Sequence, residues 1–534
     1  MPGSFDVVVI GGGHNGLVCA FYLARAGLKV CVLERRSVVG GAAVTEEFHP
    51  GFRNSVASYT VSLLHPKIIA EMNLYAHGLT IVPRKVQNFL PVNERDYLVT
   101  GAGRTKAEIA KFSARDSERY DGFQDRIAAC ADVLRETLLT TPPNVTDAGL
   151  AAALPQMLRA AGLGRKLARL DMGARRDLLM LFGRSAGDVL NDEFESDPIK
   201  AVLGFDAVVG HYASPYAPGS GYVLLHHAFG EVNGVKGTWG HALGGMGAIT
   251  QAMAKACTAL GVTIHTASPV CEVVVEKGVV RGVVTEAGEV FRARAVASNL
   301  NPKLLFGTLV DGAVLPPDFR MRMAQYKNGS GTFRMNVALS ELPRFSCLPQ
   351  AGDHMTAGII MAPSLAYMDR AFMDARVFGW SREPIVEMLI PSTLDDSLAP
   401  PSRHVASLFC QHVAPRLPDG RQWADHREEV ARLMIATVDR FAPGFAQSVL
   451  GYSALTPDDL EQTFGLVGGD IFHGRLSLEQ LFSARPVLGH GDYRSPLSGL
   501  YMCGSGTHPG GGVTGAPGHN AAREILKDVK RRRI

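Results

Sequence analysis

The stretch Phe5-Asp6-Val7-Val8-Val9-Ile10-Gly11-Gly12-Gly13-His14-Asn15-Gly16, a helical run after it, and then Val30-Cys31-Val32-Leu33-Glu34 decide the fold. They read as strand, glycine turn, helix and strand, with an acid at the end of the second strand. Gly11 permits the tight turn, Gly13 lets the backbone approach a pyrophosphate, and Gly16 lets the helix pack closely on the strand. A pyrophosphate then rests on free N–H groups at the positive end of the helix macrodipole, with His14 and Asn15 placed to bond its oxygens. Glu34 stands about twenty residues further on, where a carboxylate hydrogen-bonds the ribose hydroxyls of an adenosine and repels a 2′-phosphate. The order of strand, helix and acid, rather than the glycines alone, points to a bound dinucleotide.

Working outward, Glu34 is followed by Arg35-Arg36-Ser37-Val38-Val39-Gly40-Gly41-Ala42. A second glycine pair so close to the acid brings another backbone turn to the same pyrophosphate. A nicotinamide domain seldom needs one; a flavin site often has it. At the other end of the chain, Leu500-Tyr501-Met502-Cys503 reads as a buried strand, Gly504 to Val513 as a glycine-rich loop through Ser505, His508 and Gly512, and Ala516–Val529 as a helix. Such a turn before a helix N-terminus aims amides and a dipole at developing negative charge. On a flavin that charge appears at the N1–C2=O edge, so the amide near Val513 is expected there.

The interior is less patterned. Stretches 107–138 and 150–190 read as helical. Thr238–Gly247 opens a helix through 249–260, and 262–265, 270–275 and 279–285 alternate as short strands before a buried strand over 293–298. Gly244-Gly245-Met246-Gly247 follows no β-branched strand and no acid closes a second unit, so a separate NAD(P) domain is not expected. The fold expected is α/β: a Rossmann-type FAD-binding domain of the glutathione reductase/amine oxidase kind, made from residues 1–75, 236–305 and 481–534. A mixed α+β, partly helical substrate lobe from 76–235 and 306–480 interleaves with it.

With 534 residues, 46% hydrophobic and 20% charged, the chain suits more than one lobe of an ordinary globular protein. A net charge of +3 without a basic-aromatic motif gives no support to nucleic acid binding. The eight cysteines form no CxxC pair, which argues against a redox dithiol and a metal knuckle and for reduced thiols in a cytoplasmic setting. No apolar run reaches the ~18 residues of a membrane span. Residues 151–184 carry seven Arg/Lys and two acids among Leu and Met, which reads either as a solvated helix face or as contact with a membrane surface.

Taken together, Gly11–Leu17, Trp239–Gly247, Val296–Pro302 and Cys503–Ala522 resemble the phytoene desaturase-like (carotenoid desaturase and isomerase) flavoprotein family. Within it they resemble the branch named for a pyridine nucleotide-disulfide oxidoreductase domain. Ser214–Tyr222 with His226-His227 resembles the same branch. The resemblance implies FAD, a flavin site completed by the C-terminal segment, hydride chemistry at flavin N5, and Val270 beside the adenine through its backbone. Gly504-Ser505 departs from the Gly-Glu of flavin amine oxidases and the Gly-Asp of disulfide reductases, and no cysteine pair matches the branch's name.

The activity expected is that of an FAD-dependent oxidoreductase, a desaturase or isomerase acting on a small apolar substrate, with a quinone or oxygen as electron acceptor. An amine oxidase-like enzyme and a non-catalytic flavoprotein acting in protein interaction are the alternatives, and a homodimer stays open. For the proton that accompanies a hydride, His508 and His241 are the first candidates, then His226 and His227. The plainer reading of each is a structural histidine bonded to a backbone carbonyl. Tyr59 reads equally as a wall of the flavin site and as a core tyrosine.

Overall fold

The computed structural model describes residues 4–144 and 150–534. Phe5–Ile10 is rich in β-branched residues and buried, as a strand covered on both faces must be. It lies at the centre of a seven-stranded sheet. Val30–Leu33 and then Thr263–His265 run parallel to it on one side, and Val290–Ser298 on the other. Val290–Ser298 is flanked in turn by Leu500–Met502, parallel to its C-terminal half, and by the antiparallel meander of Val279–Thr285 and Val270–Glu276. Thus a strand from the last fifteenth of the sequence completes a sheet begun by its first ten residues. Helices His14–Arg25, Gly247–Ala259 and Ala516–Lys530 pack on one face through Leu17, Val18, Ile249, Ala256 and Ile525.

A second seven-stranded sheet has the order Val449–Leu455, Phe333–Leu339, His404–Val413, Trp380–Leu389, Gly358–Met361, Asn88–Pro91, Tyr97–Thr100. Only the contact between Gly358–Met361 and Asn88–Pro91 is parallel. Helix Trp423–Phe441 packs on one face through Val430, Met434 and Val438. Helices Asp197–Val208 and Leu365–Phe378 join the core on the other.

Several elements differ from the sequence reading. The helical stretch over 107–138 is two helices, Thr105–Ala110 and Ala114–Leu138. Ser113 adopts an extended conformation and its side chain accepts from Asp116 N, so a cap interrupts the run. The stretch 150–190 is divided in the same way by Asp171 and Ser185, which cap Met172–Gly183 and Ala186–Glu193. A short strand, Gly240–Ala242, does precede Gly244-Gly245-Met246-Gly247. It pairs antiparallel with Ile81–Pro83, outside the parallel sheet, and builds no second dinucleotide unit. The eight cysteines are unpaired, yet the fold brings the buried thiols of Cys19 and Cys503 near one another, a proximity that their spacing of hundreds of residues conceals. No helix among the described residues is long and apolar enough to cross a membrane.

The first and last helices meet closely. A Cβ added at Gly518 would lie 2.1 Å from Asn15 O and 3.0 Å from Cys19 N, so only glycine allows this crossing. Gly518→Ala is expected to force the helices apart at a cost of about 1–3 kcal/mol and to weaken cofactor retention with it. Urea unfolding and flavin content check this; a variant with unchanged stability would show that the crossing is not tight.

Candidate active site

The first strand, helix and second strand bound one end of a long cavity, which offers about 360 Å³ to the centre of a water molecule. Gly11, Gly13, His14, Asn15, Glu34, Arg35, Gly40, Gly41, Ala42 and Val270 all line it, as do Ser505, Gly512 and Val513 from the C-terminal segment. Glu34 organises the first turn: its Oε2 accepts from Gly12 N at 2.7 Å and its Oε1 from Arg36 N at 2.9 Å. Gly40 N donates to Gly12 O at 2.9 Å, and Gly13 bridges Gly40, so the second glycine pair lies across the first. Gly16 and Gly504 do not line the cavity and act from behind it. A Cβ at Gly16 would lie 2.1 Å from Gly11 O, and one at Gly504 would lie 2.5 Å from Asn299 O.

The C-terminal loop closes the middle of the cavity. Gly512 has φ +95°, and a Cβ there would lie 2.6 Å from Leu63 Cδ1, so the loop presses on the wall formed by residues 58–64. Helix Ala516–Lys530 starts just beyond, with Ala516 N donating to Thr514 Oγ1 at 3.1 Å. Arg485, fully buried, holds the loop in place. Its guanidinium donates to Ser505 O at 2.8 and 3.1 Å and to the carbonyls of Phe472, Gly474, Arg475 and Gln480.

The lining suits an anionic dinucleotide. His14 Nε2, Asn15 Oδ1, Arg36 Nη1, Asn301 Nδ2 and His473 Nδ1 are buried polar atoms of lining residues with no protein partner. Buried polar groups are nearly always bonded, and a pyrophosphate with its ribityl and ribose hydroxyls would supply the acceptors and donors that these atoms lack. Burial lowers the His14 imidazole to about 4, against the raising effect of its hydrogen bond to the Gly512 carbonyl, and lowers His473 to about 3. Burial thus favours the neutral form of both rings. Arg36, Asn299, Asn301 and His473 were not among the expected site residues. Asn299 and Asn301 carried a usable signal, for they follow the C-terminal end of a parallel strand beside the central one, where α/β sheets bind ligands.

The histidines expected to move a proton are placed elsewhere. Neither His508 nor His241 lines the cavity. His508 is buried, its Nε2 lies 3.1 Å from Thr137 O and its ring stacks on Phe482; burial lowers it to about 4. His241 Nε2 lies 3.1 Å from Asp395 Oδ2, which also accepts from Gly244 N at 2.6 Å. Burial alone would raise the Asp395 carboxyl, but the bonds from His241, Ser397 and Gly244 outweigh it and hold it well below the usual carboxylate range. Both histidines are therefore held by protein partners outside the cavity lining. His226 lies behind the wall, while His227 does line the cavity, with Nδ1 2.9 Å from Val223 O and its ring stacked on Trp239.

The far end of the cavity is apolar and aromatic: Tyr59, Leu63, Val209, Trp239, Ile471 and Phe472. Two guanidiniums stand against its rings, Arg334 Cζ at 4.7 Å from the Tyr59 centroid and Arg84 Cζ at 5.8 Å from that of Trp239. Glu34→Ala removes the acceptor of two backbone N–H groups and the ribose partner. It should cost about 2 kcal/mol of cofactor binding, roughly 30-fold in affinity, read by titrating the apoprotein with FAD; wild-type affinity would contradict the assignment of the adenosine end.

Comparison with known proteins accords with this geometry. The family model described as flavin containing amine oxidoreductase matches residues 16–331. The chain is 42% identical over 549 residues to the rat pyridine nucleotide-disulfide oxidoreductase domain-containing protein 2, covering 98% of this chain and 94% of that one. It is 25% identical over 550 residues to the phytoene desaturase (lycopene-forming) of Pseudescherichia vulneris, with 98% and 99% covered, so the likeness to phytoene desaturases is distant. Among solved structures, wild-type putrescine oxidase bound to putrescine superposes with a TM-score of 0.60 over the whole of both chains at 16% identity, a likeness of fold alone. This chain, with its cradle of unsatisfied polar atoms and its C-terminal closure, belongs to the flavin-containing amine oxidoreductase family and is an FAD-dependent oxidoreductase.

Proposed function

We propose that the protein dehydrogenates or isomerises a neutral, fairly apolar small molecule, moving a hydride between a substrate carbon and flavin N5. The observation that carries this reading is the pair of arginines behind the aromatic walls. An aromatic face attracts an ammonium through its quadrupole, but here the rings of Tyr59 and Trp239 already stand against the cations of Arg334 and Arg84. A third positive charge brought to within about 8 Å of either guanidinium meets a repulsion on the order of 2 kcal/mol at an effective dielectric of 20. The nearby carboxyls are Glu387 and, facing Arg84, Asp206; burial raises both toward their neutral forms, so they offset the two guanidiniums only in part. The cavity end thus disfavours protonated amines and suits a carbon skeleton lying along Leu63, Val209, Ile471 and Phe472.

A bound flavin would supply the hydride acceptor. The chain's residues hold the substrate and keep water away: the wall from 58 to 64, Trp239 and Phe472 enclose the apolar end, and the loop through Val513 faces them across the cavity.

A hydrocarbon-like substrate is delivered from a lipid surface most simply by a protein that rests on one. Helices Leu150–Ala168 and Met172–Gly183 support such contact, exposing Met157, Leu158, Met172 and Leu179 alongside Arg165, Arg169, Arg175 and Arg176.

Anaerobic titration of the holoprotein decides the substrate class. A panel of neutral isoprenoid hydrocarbons and alcohols should bleach or perturb the visible flavin spectrum, whereas benzylamine and putrescine at equal concentration should not. Rapid bleaching by an amine would overturn the reading in favour of an amine oxidase, and bleaching by neither panel would favour a flavoprotein without catalysis. In flotation assays the protein should bind vesicles containing anionic lipid and lose that binding when Arg165, Arg169, Arg175 and Arg176 are changed to Glu. Equal binding to neutral vesicles would contradict the electrostatic part of this account.

A further inference from the structure

The apolar end of the cavity contains a group that hydride removal alone does not require. Tyr59 lines it, and Tyr59 Oη donates a 2.5 Å hydrogen bond to Glu387 Oε2. Glu387 is 6% exposed and lies on the central strand Trp380–Leu389 of the second sheet. Its surroundings are ionic on several sides. Arg84 approaches beside Thr60, to whose Oγ1 its Nη2 donates at 2.6 Å. Arg334, 1% exposed, packs on the Tyr59 ring and donates to Leu408 O at 2.7 Å and Ser407 Oγ at 2.8 Å. Asp206, half-buried on helix Asp197–Val208, and the buried Cys410 thiol complete the titratable groups around them. Gly358 closes the back, where a Cβ would lie 2.7 Å from Glu387 Oε1 and 3.2 Å from Arg84 Nη1.

Fixing the Tyr59 ring would take only a neutral acceptor, and a buried carboxylate carries a desolvation cost of several kcal/mol. A carboxylate that accepts the hydroxyl hydrogen of a tyrosine lining the cavity has a proton acceptor's arrangement. We propose that Tyr59 and Glu387 form a relay that takes the proton leaving the substrate, an inference that rests on the dehydrogenation of a neutral molecule proposed above. One C–H bond of the substrate breaks with its electron pair going to the flavin as hydride. The bond to hydrogen on the neighbouring atom breaks and leaves its pair in the new double bond. That second proton goes to Tyr59 Oη while the Tyr59 proton passes to Glu387 Oε2. The substrate loses a hydride and a proton, the flavin gains the one and Glu387 the other, and charge is conserved. Tyr59 is the catalytic residue, and Glu387 acts through it.

The electrostatics agree with this role. Burial raises the Glu387 carboxyl above its ordinary range, opposed by Arg84, the Tyr59 bond and Arg334, which moves its proton affinity toward that of a base working near neutrality. Burial, and after it the charge of Glu387, raises Asp206 to about 7, so a second carboxyl on the same guanidinium shares the proton's field.

The relay is testable without a known substrate, because photochemical reduction of the holoprotein ends in the same state: reduced flavin beside a protonated Glu387. The reduced-minus-oxidised infrared spectrum should gain a carboxylic acid C=O band that is absent in Glu387→Gln and shifted in Tyr59→Phe. The flavin midpoint potential should show a range of pH in which its slope is twice that of Glu387→Gln, since two protons rather than one accompany two electrons. A folded, flavin-loaded Glu387→Gln protein with the wild-type band and slope would overturn the relay and leave the neutral-substrate reading, which the amine titration tests, standing. Should Glu387→Gln not fold, Tyr59→Phe carries the decision: an unshifted band overturns the proposal.

Discussion

The close crossing of the first and last helices is the constraint on which the site depends. Gly518 lets helix Ala516–Lys530 lie against Asn15 of helix His14–Arg25, and Asn15 Nδ2 reaches Ser505 Oγ at 3.0 Å across the junction. The N-terminus of the first helix thereby opens onto the cavity, and that of the last begins just beyond Val513, which lines it, so the two positive dipole ends converge on one region. Such convergence is unfavourable unless an anion or an electron-rich ring edge sits between them. A dinucleotide with a pyrophosphate and a reducible ring meets both needs with one molecule. The chain cannot complete this arrangement until its last residues are in place, so sheet, closure and cofactor site form a single cooperative unit.

Arg485 performs the corresponding task for the substrate end. A guanidinium buried without a carboxylate partner is costly, and the chain offsets that cost with five backbone carbonyls drawn from the C-terminal loop and from residues 472–480. The same bonds fix Phe472 as a wall of the cavity and fix Ser505 beside the first helix. Tyr59 is fixed from a third direction, by Phe409 at 5.2 Å, by Arg334 and by Glu387. The rings that shape the substrate end are thus held by groups on three separate parts of the chain, which gives a rigid, water-poor surface for hydride transfer.

The sequence made the adenosine half of the site legible because that half is local. Gly11, Gly13, Glu34 and Gly40 lie within thirty residues, and their spacing is set by one turn, one helix and one strand. The C-terminal loop was legible for the same reason, as strand, glycine turn and helix in succession. The histidines were not: nearness to the loop says nothing about which side of the backbone a ring takes, and His508 turns toward Thr137 of a distant helix. Tyr59 with Glu387, and Arg485 with its carbonyls, left no local pattern. Tyr59 and Glu387 are 328 residues apart, and only the packing of the second sheet against the 58–64 wall joins them. Helix breaks at Ser113, Asp171 and Ser185 were within reach of the sequence, since each residue has a capping side chain, and periodicity alone obscured them.

A crystal structure of the purified holoprotein tests the account most directly. It should show FAD with its ribose on Glu34, its pyrophosphate over Gly11–Asn15 and Gly40–Ala42, and its ring between Tyr59–Leu63 and Gly512–Val513, leaving the space toward Trp239 and Phe472 for the substrate. A flavin ring lying away from the Tyr59 wall, or an open C-terminal loop remote from the ring, would contradict it.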